Sequence, residues 1–485
     1  MLHTLQATAP EVLLVLLASA MYLAGTFAKG PCRCWFWSSI AALGLAAVVL
    51  ATWTMNSAPA ASATAVVDSL AVWGKVLALA TGLALVLMSD AMSLDNRAPE
   101  YFASLLLVVA GSMFVAGANE LVLLFLGLEL ISVPSYVLLY VTRRDVAGQE
   151  SAAKYFFLSI FASALFLYGL SFLYGAAGNT NLQAIAQLES KLPYPVPPSL
   201  LVALVLVVAG LGFKIAAFPL HFYAPDVYQG TTHTLAALLA WAPKAAGFLA
   251  LVRLVTFAMP YLADKVSWLM LVLAAATMTV GNVLGLLQTN LRRLLAYSSI
   301  AHAGYMLVGI GVGALGGSRY ITTSGAESVV FYLVAYAAMT LGVFAVLVAL
   351  ASPQRPVETI DDLAGLARSH PRLALAMALF LFSLTGIPIT AGFWAKVAIF
   401  SSALVSGQDH YITLAIVGML NAAVSSYYYL RIIAVMYMHE PYGAVEPAGS
   451  RPALCVVAAC TAVTLAIGFA PGPMLDWCVG LGLGR

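Results

Sequence analysis

Fourteen stretches of this chain are long and apolar enough to cross a bilayer, and they leave little room for any other architecture. A helix needs about 20 apolar residues to span the hydrocarbon. The stretches are 10–28, 35–54, 67–89, 100–117, 120–141, 154–176, 199–224, 233–255, 267–289, 294–315, 326–350, 371–401, 411–438 and 452–470. Unbroken runs of this length suit helices, whereas a transmembrane barrel would alternate over segments of about 10 residues. The turns are short and marked by Pro, Gly and Asn, as in SKLPYPVPPS (190–199), and none has room for an extramembrane domain. Composition agrees. Hydrophobic residues make up 62 % and charged residues 9 %, against about 25 % charged in a soluble domain, so the chain cannot cover itself with a hydrated surface. A soluble enzyme and a secreted disulfide scaffold are excluded. So is a nucleic-acid binder, because the net charge of +2 supplies no basic field. The expected fold is all-α, a polytopic membrane protein.

The first basic residue, Lys29, follows the first apolar run, which is the wrong order for a signal peptide. By the positive-inside rule the N-terminus is expected outside. Alternating fourteen helices from that start puts thirteen of the 22 Lys and Arg in the cytoplasm, Lys29, Arg144 and Arg355 among them. Five fall outside: Lys191, Arg253, Lys265, Arg319 and Arg485.

The four that remain, Lys75, Lys214, Lys244 and Lys396, sit inside apolar stretches, as does Glu129 among the acids. A charge at bilayer depth costs at least roughly 2.5–3.5 kcal/mol, and such groups mark ion or proton pathways. Lys75 has no Pro in its span and is read as snorkelling or as meeting a local partner such as Asp68. The other four lie near a Pro: Glu129 before Pro134, Lys214 before Pro219, Lys244 after Pro243, and Lys396 after Pro388 with Gly386 and Gly392 alongside. Pro removes a backbone donor, and unwound backbone at membrane depth survives only against protein or a wet cavity. Each of the four is therefore expected beside a local opening of its helix. Lys and Glu exchange protons as their surroundings change, whereas Arg stays protonated. Spacing alone does not say which Lys meets Glu129.

The fifth and tenth spans share a weak likeness, LGLELISVPSYVLLY (126–140) against LAYSSIAHAGYMLVG (295–309). The seventh and twelfth, also five apart, are each expected to be discontinuous around an internal Lys. A repeat of five crossings must be inverted in its second copy, an architecture of secondary transporters. The division this gives is 1–90 for the first three helices, 100–255 and 267–438 for the two repeats, and 452–485 for the last helix and tail.

Three motifs, GLGFKIAAFPLHFYAPDVYQG (210–230), QTNLRRLLAYSSIAHAGYMLVG (288–309) and SLTGIPITAGFWAKVAIF (383–400), resemble those of the antiporter-like membrane subunits of respiratory complex I. The PDVYQG element and the fourteen-span length favour the smaller branch of that family over its two larger relatives and over multisubunit cation/proton antiporters. The resemblance implies fourteen helices, an inverted five-plus-five repeat and a polar axis along the membrane midplane. It implies that Glu129 pairs with Lys214, that Lys244 continues the axis and that Lys396 ends it. His302 falls where the axis passes, and stays open between a relay and a buried His satisfied by Ser298 or Ser299. One departure stands out. The family's Pro-containing element after PDVYQG is replaced by GTTHTLAALLAWAPKAAGF (230–248), leaving His233 open between a proton-accessible group and a polar helix start.

The five cysteines form no CxxC pair, and the seven His no zinc-type spacing. No metal or cofactor is therefore expected in this chain. NADH, FMN, iron–sulfur clusters and quinone are expected in the other membrane and peripheral subunits of the complex that the resemblance implies. Glu120 reads as a solvated loop acid. The expected function is proton translocation in the bacterial inner membrane, driven by quinone reduction elsewhere. The alternatives are a cation/proton antiporter subunit and a structural subunit with a vestigial path, which unneeded buried charges argue against.

Overall fold

The computed structural model describes residues 2–27, 32–54, 64–90, 92, 94, 97–143, 145–187, 196–315, 324–351, 357–440 and 450–483. Lys29, Arg144, Lys191, Arg319, Arg355 and Arg485, used above for orientation, lie outside them. The helices are α1 (Ala9–Phe27), α2 (Cys32–Thr54), α3 (Ser69–Met88), α4 (Ala98–Gly117), α5 (Leu121–Thr142), α6 (Val146–Ala177), α7 (Pro198–Ile215), α8 (Tyr223–Gln229), α9 (His233–Val252), α10 (Ala263–Leu286), α11 (Leu291–Ala314), α12 (Gly325–Leu350), α13 (Pro371–Thr385), α14 (Ala391–Val405), α15 (Asp409–Met438) and α16 (Arg451–Phe469). Short helices also cover Leu2–Ala7, Leu182–Ala186, Leu366–Ser369 and Gly472–Val479. Among the described residues thirteen helices are long and apolar enough to cross a membrane. The remaining expected span is divided between α13 and α14, each of 15 residues. The molecule is an all-helical, multi-pass membrane protein.

Helix ends follow local chemistry. Asp145 caps α6 by accepting from the Gly148 amide at 3.1 Å, and its hydrogen bond from Arg143 holds its carboxyl below the usual carboxylate range. Asn290 caps α11, and Ser324 with Glu327 forms a capping box at the start of α12. Gly178 closes α6 in the left-handed conformation, at φ +63°.

Two compact units divide the chain. The first holds residues 1–86, 92–215 and 242–266, the second 87–91, 216–241 and 267–485. In the first, α4 packs on α1 and α5, and α6 on α7. A Cβ at Gly169 of α6 would lie 2.8 Å from the Val207 amide nitrogen of α7, so only a small residue permits that approach. In the second, α12 packs against α11, α13, α14 and α16 and is buried almost all round, as a helix apolar on every face must be.

Both expected interruptions are present. The seventh span stops at Ile215 and resumes as α8, and the twelfth stops at Thr385 and resumes at Ala391. Each break holds a non-glycine residue in the left-handed region, Ala216 at φ +57° and Ile389 at φ +71°. Such a conformation costs of order 1–3 kcal/mol and persists only where its surroundings fix it. The freed backbone groups have partners: Thr277 accepts from the Phe218 amide at 3.0 Å, and Ser383 from the Gly392 amide at 3.0 Å. The other two expected openings are absent. Pro134 lies inside an unbroken α5 and Pro243 inside an unbroken α9. On α5, Ser132 and Ser135 hydroxyls bond the carbonyls of Leu128 and Ile131, the kind of side-chain bonding that lets a membrane helix tolerate Pro.

Candidate functional site

In the first unit Glu129 and Lys214 meet across α5 and α7, with the ammonium 3.7 Å from the carboxylate. Three serines complete the pair. Lys214 donates to Ser132 at 2.5 Å, to Ser159 at 3.2 Å and to Ser163 at 3.5 Å. Ser163 in turn donates to Glu129 at 2.5 Å. Its hydroxyl therefore stands between base and acid, accepting from one while donating to the other. Small residues make this reach possible. Gly210, one turn before Lys214, lets α7 lie against α6, where a Cβ would come within 2.9 Å of the Ala162 carbonyl. Lys214 is 5 % exposed, whereas Glu129 keeps 24 % of its side chain at the surface.

Lys244 lies buried on α9. Gly247, one turn on and on the same face, packs against α7. A Cβ there would meet Ile215 Cγ2 at 2.6 Å and Lys214 Cβ at 3.5 Å. The face carrying Lys244 is thus pressed onto the Lys214 segment.

A further pair was missed by sequence reasoning. Lys75 neither snorkels nor meets Asp68: it is buried and forms an ion pair with Glu11 at 2.7 Å, side chains 2 % and 1 % exposed. It also donates to the Ala7 carbonyl at 2.6 Å. Asp68 is taken instead by Arg253, at 2.9 and 3.2 Å. Arg253 was expected in an outer loop, yet it is buried on a π-helical turn, Arg253–Ala258, where it also donates to Ala116 O at 2.8 Å. The planar guanidinium suits such a multidentate seat. Glu11 gave no signal because it stands at the start of its span, where an acid normally reads as solvated and helix-stabilising.

The second unit gathers His302, Lys396 and a set of tyrosines. His302 sits between two tyrosine hydroxyls. Its Nδ1 meets the Tyr332 hydroxyl at 2.6 Å and its Nε2 the Tyr429 hydroxyl at 3.3 Å. The serines bond tyrosines as well: Ser298 pairs with Tyr429 itself, and Tyr336 donates to Ser299 at 2.6 Å. A phenol on each ring nitrogen lets imidazole take a proton on one side and release it on the other. Lys396 donates to the carbonyls of Leu384 at 3.0 Å and Thr385 at 2.7 Å, groups that the end of α13 leaves unbonded. Its ammonium also lies 5.2 Å from the Tyr305 ring centroid, a contact worth up to about 2 kcal/mol when desolvated. Gly386, at φ +92°, adopts a conformation that favours glycine, and a Cβ there would stand 3.0 Å from Lys396 Cδ.

The motifs seen in the sequence have structural work as well. Arg293 pairs with Asp226 at 2.7 Å and donates to Gln229 at 3.0 Å, pinning α8 to the start of α11. Arg292 donates to the Thr231 carbonyl and to Glu358, both at 2.6 Å. His233 is a buried helix-start residue on α9. Glu120 is partly buried and accepts from Thr180 at 2.8 Å. Among the described residues the five cysteines form no disulfide, and no group of three or more His, Cys, Asp or Glu is placed to hold a metal ion.

A family model described as NADH:quinone oxidoreductase/Mrp antiporter, TM, matches residues 118–422. The chain is 40 % identical to NADH-quinone oxidoreductase subunit N of Trichlorobacter lovleyi over 431 residues, 88 % of this chain and 86 % of the relative. It is 38 % identical to NADH-quinone oxidoreductase subunit N 2 of Rhizobium meliloti, covering 96 % and 95 %. Among solved structures it superposes on a chain of respiratory complex I from Thermus thermophilus with bound aureothin at a TM-score of 0.80, with 32 % identity over 96 % of this chain and 98 % of that one. A chain of the Mrp complex from Dietzia sp. shares the fold at a TM-score of 0.82 and 21 % identity, covering 98 % and 97 %.

Proposed function

The chain belongs to the NADH:quinone oxidoreductase/Mrp antiporter membrane family, on its subunit N branch, and from that premise we propose that it translocates protons as a membrane subunit of a quinone-reducing respiratory complex. The observation that carries the reading is Ser163 bridging Lys214 and Glu129. A proton leaving the Lys214 ammonium passes to the Ser163 oxygen as the serine proton moves to Glu129, so the serine is unchanged and the charge pair is neutralised. In the other direction the route continues through Lys244 to His302 and Lys396, in the order the family resemblance implies. On this reading residues 100–255 and 267–438 are the two inverted repeats, and the redox groups belong to partner subunits. The protein then sits in a bacterial inner membrane with its N-terminus outside.

Glu129 supports a place inside a complex. A carboxylate edge at this depth is costly against lipid, so its 24 % exposed surface calls for a polar group of a partner subunit or for water. The test is proton uptake into inverted membrane vesicles driven by quinone reduction. Lys214→Ala should remove most of this subunit's share of the protons moved per electron, because it deletes a positioned acid–base group, while the complex stays assembled. Normal pumping by the assembled variant removes the residue from the route. Exchange of Na⁺ or K⁺ for protons without quinone chemistry would favour an antiporter subunit instead.

A further inference from the structure

Lys396 lacks what Lys214 has. Among the described residues no acidic side chain forms an ion pair with it. Its ammonium has three donors, and three partners meet them: the Leu384 and Thr385 carbonyls and the face of Tyr305. The carbonyls are fixed by the end of α13. The ring is fixed separately, and from several sides. Asn282 donates to the Tyr305 hydroxyl at 3.1 Å and itself accepts from Tyr428 at 3.0 Å. Phe400, one turn beyond Lys396 on α14, meets the ring edge to face at 6.0 Å, and His302 does so at 5.7 Å and 87°. So much support for one buried ring exceeds what filling space requires.

We propose that Tyr305 is a positioning residue for proton transfer at Lys396, its ring face standing where a carboxylate stands for Lys214. The inference rests on the proton-translocating reading above. An aromatic face attracts an ammonium through its quadrupole but has no such attraction for a neutral amine. It also offers no lone pair that could take the proton itself. A carboxylate in the same place could accept the proton and hold it. The ring steadies the charged form of Lys396 and leaves the proton free to move on, and its other contacts include His302, edge to face.

The test keeps the ring's shape and weakens only its face. Tyr305 is replaced in the assembled complex by Phe and by Phe bearing one, two and three ring fluorines, with Tyr305→Leu and Lys396→Ala alongside. Protons moved per electron are read in inverted vesicles, and assembly on native gels. Tyr305→Phe should pump nearly as the parent does. Each added fluorine should lower the yield, towards the roughly ten-fold loss expected of Tyr305→Leu when a desolvated cation–π contact is removed. A flat response across the fluorinated series, with Lys396→Ala inactive, overturns the role of Tyr305 and leaves the translocation reading intact. So does a loss in Tyr305→Phe as large as in Tyr305→Leu, which would assign the effect to the hydroxyl and Asn282. Normal pumping by assembled Lys396→Ala would fail the reading beneath it.

Discussion

Two Lys–Glu pairs lie in the same compact unit and share their chemistry, yet they are built for opposite ends. Glu11 and Lys75 touch at 2.7 Å with almost nothing exposed. Glu129 and Lys214 stand 3.7 Å apart, with a serine hydroxyl between them and one carboxylate edge open. A close, dry pair has no third group to receive a proton and no room to part, so it serves as a clamp between α1 and α3. A looser pair with a hydroxyl relay can neutralise and recharge in place. Residue type alone therefore does not tell the two pairs apart. Separation, bridging hydroxyls and access do.

The comparison can be broken most directly at the lysines. Lys214→Ala should remove most of this subunit's share of pumping, as above, without unfolding the subunit. Lys75→Ala should do the reverse. Stranding a buried Glu11 is expected to cost about 3–5 kcal/mol, read as lower thermal stability and yield, while pumping per assembled complex is kept. The double variant Glu11→Leu with Lys75→Met should regain that stability, because a buried pair replaced by apolar side chains is often neutral or better. If the double variant instead stops pumping, Glu11–Lys75 is a working station and the contrast collapses. Ser163→Ala should have a smaller effect, lowering pumping several-fold, because the bridge to Glu129 is lost while Ser132 and Ser159 still hold Lys214. Equal effects from Ser163→Ala and Ser163→Thr would sink the relay, since Thr keeps the hydroxyl. The smallest signal is access. In inverted vesicles of the complex, Glu129→Cys should label with a water-soluble thiol reagent above the background of the native cysteines, and Glu11→Cys should not.

The spans were legible because the bilayer imposes their length, and Glu129, Lys214, Lys244 and Lys396 because charge in hydrocarbon is costly enough to stand out in one dimension. The two helix breaks were legible because Pro219 and the Gly386–Pro388 pair fall inside apolar stretches. Pro134 and Pro243 carried the same local signal but no break, since neighbouring packing and serine hydroxyls decide whether a Pro opens a membrane helix. The serine cluster was not readable. Ser132, Ser159 and Ser163 look like any serines in apolar helices until α5, α6 and α7 bring them together. The tyrosines around His302 lie 30 and 127 residues away from it, and Glu11 is 64 residues from Lys75. Such partnerships exist only in the folded protein.

The division of the twelfth crossing into α13 and α14 bears on how the chain enters the membrane. At 15 residues each, either half is about 22 Å long as a helix, short of the roughly 30 Å of hydrocarbon. Neither can hold a transmembrane position by itself during biosynthesis. Residues 371–405 therefore make one crossing only when both halves are held together, and α12, which packs against each of them, supplies that hold.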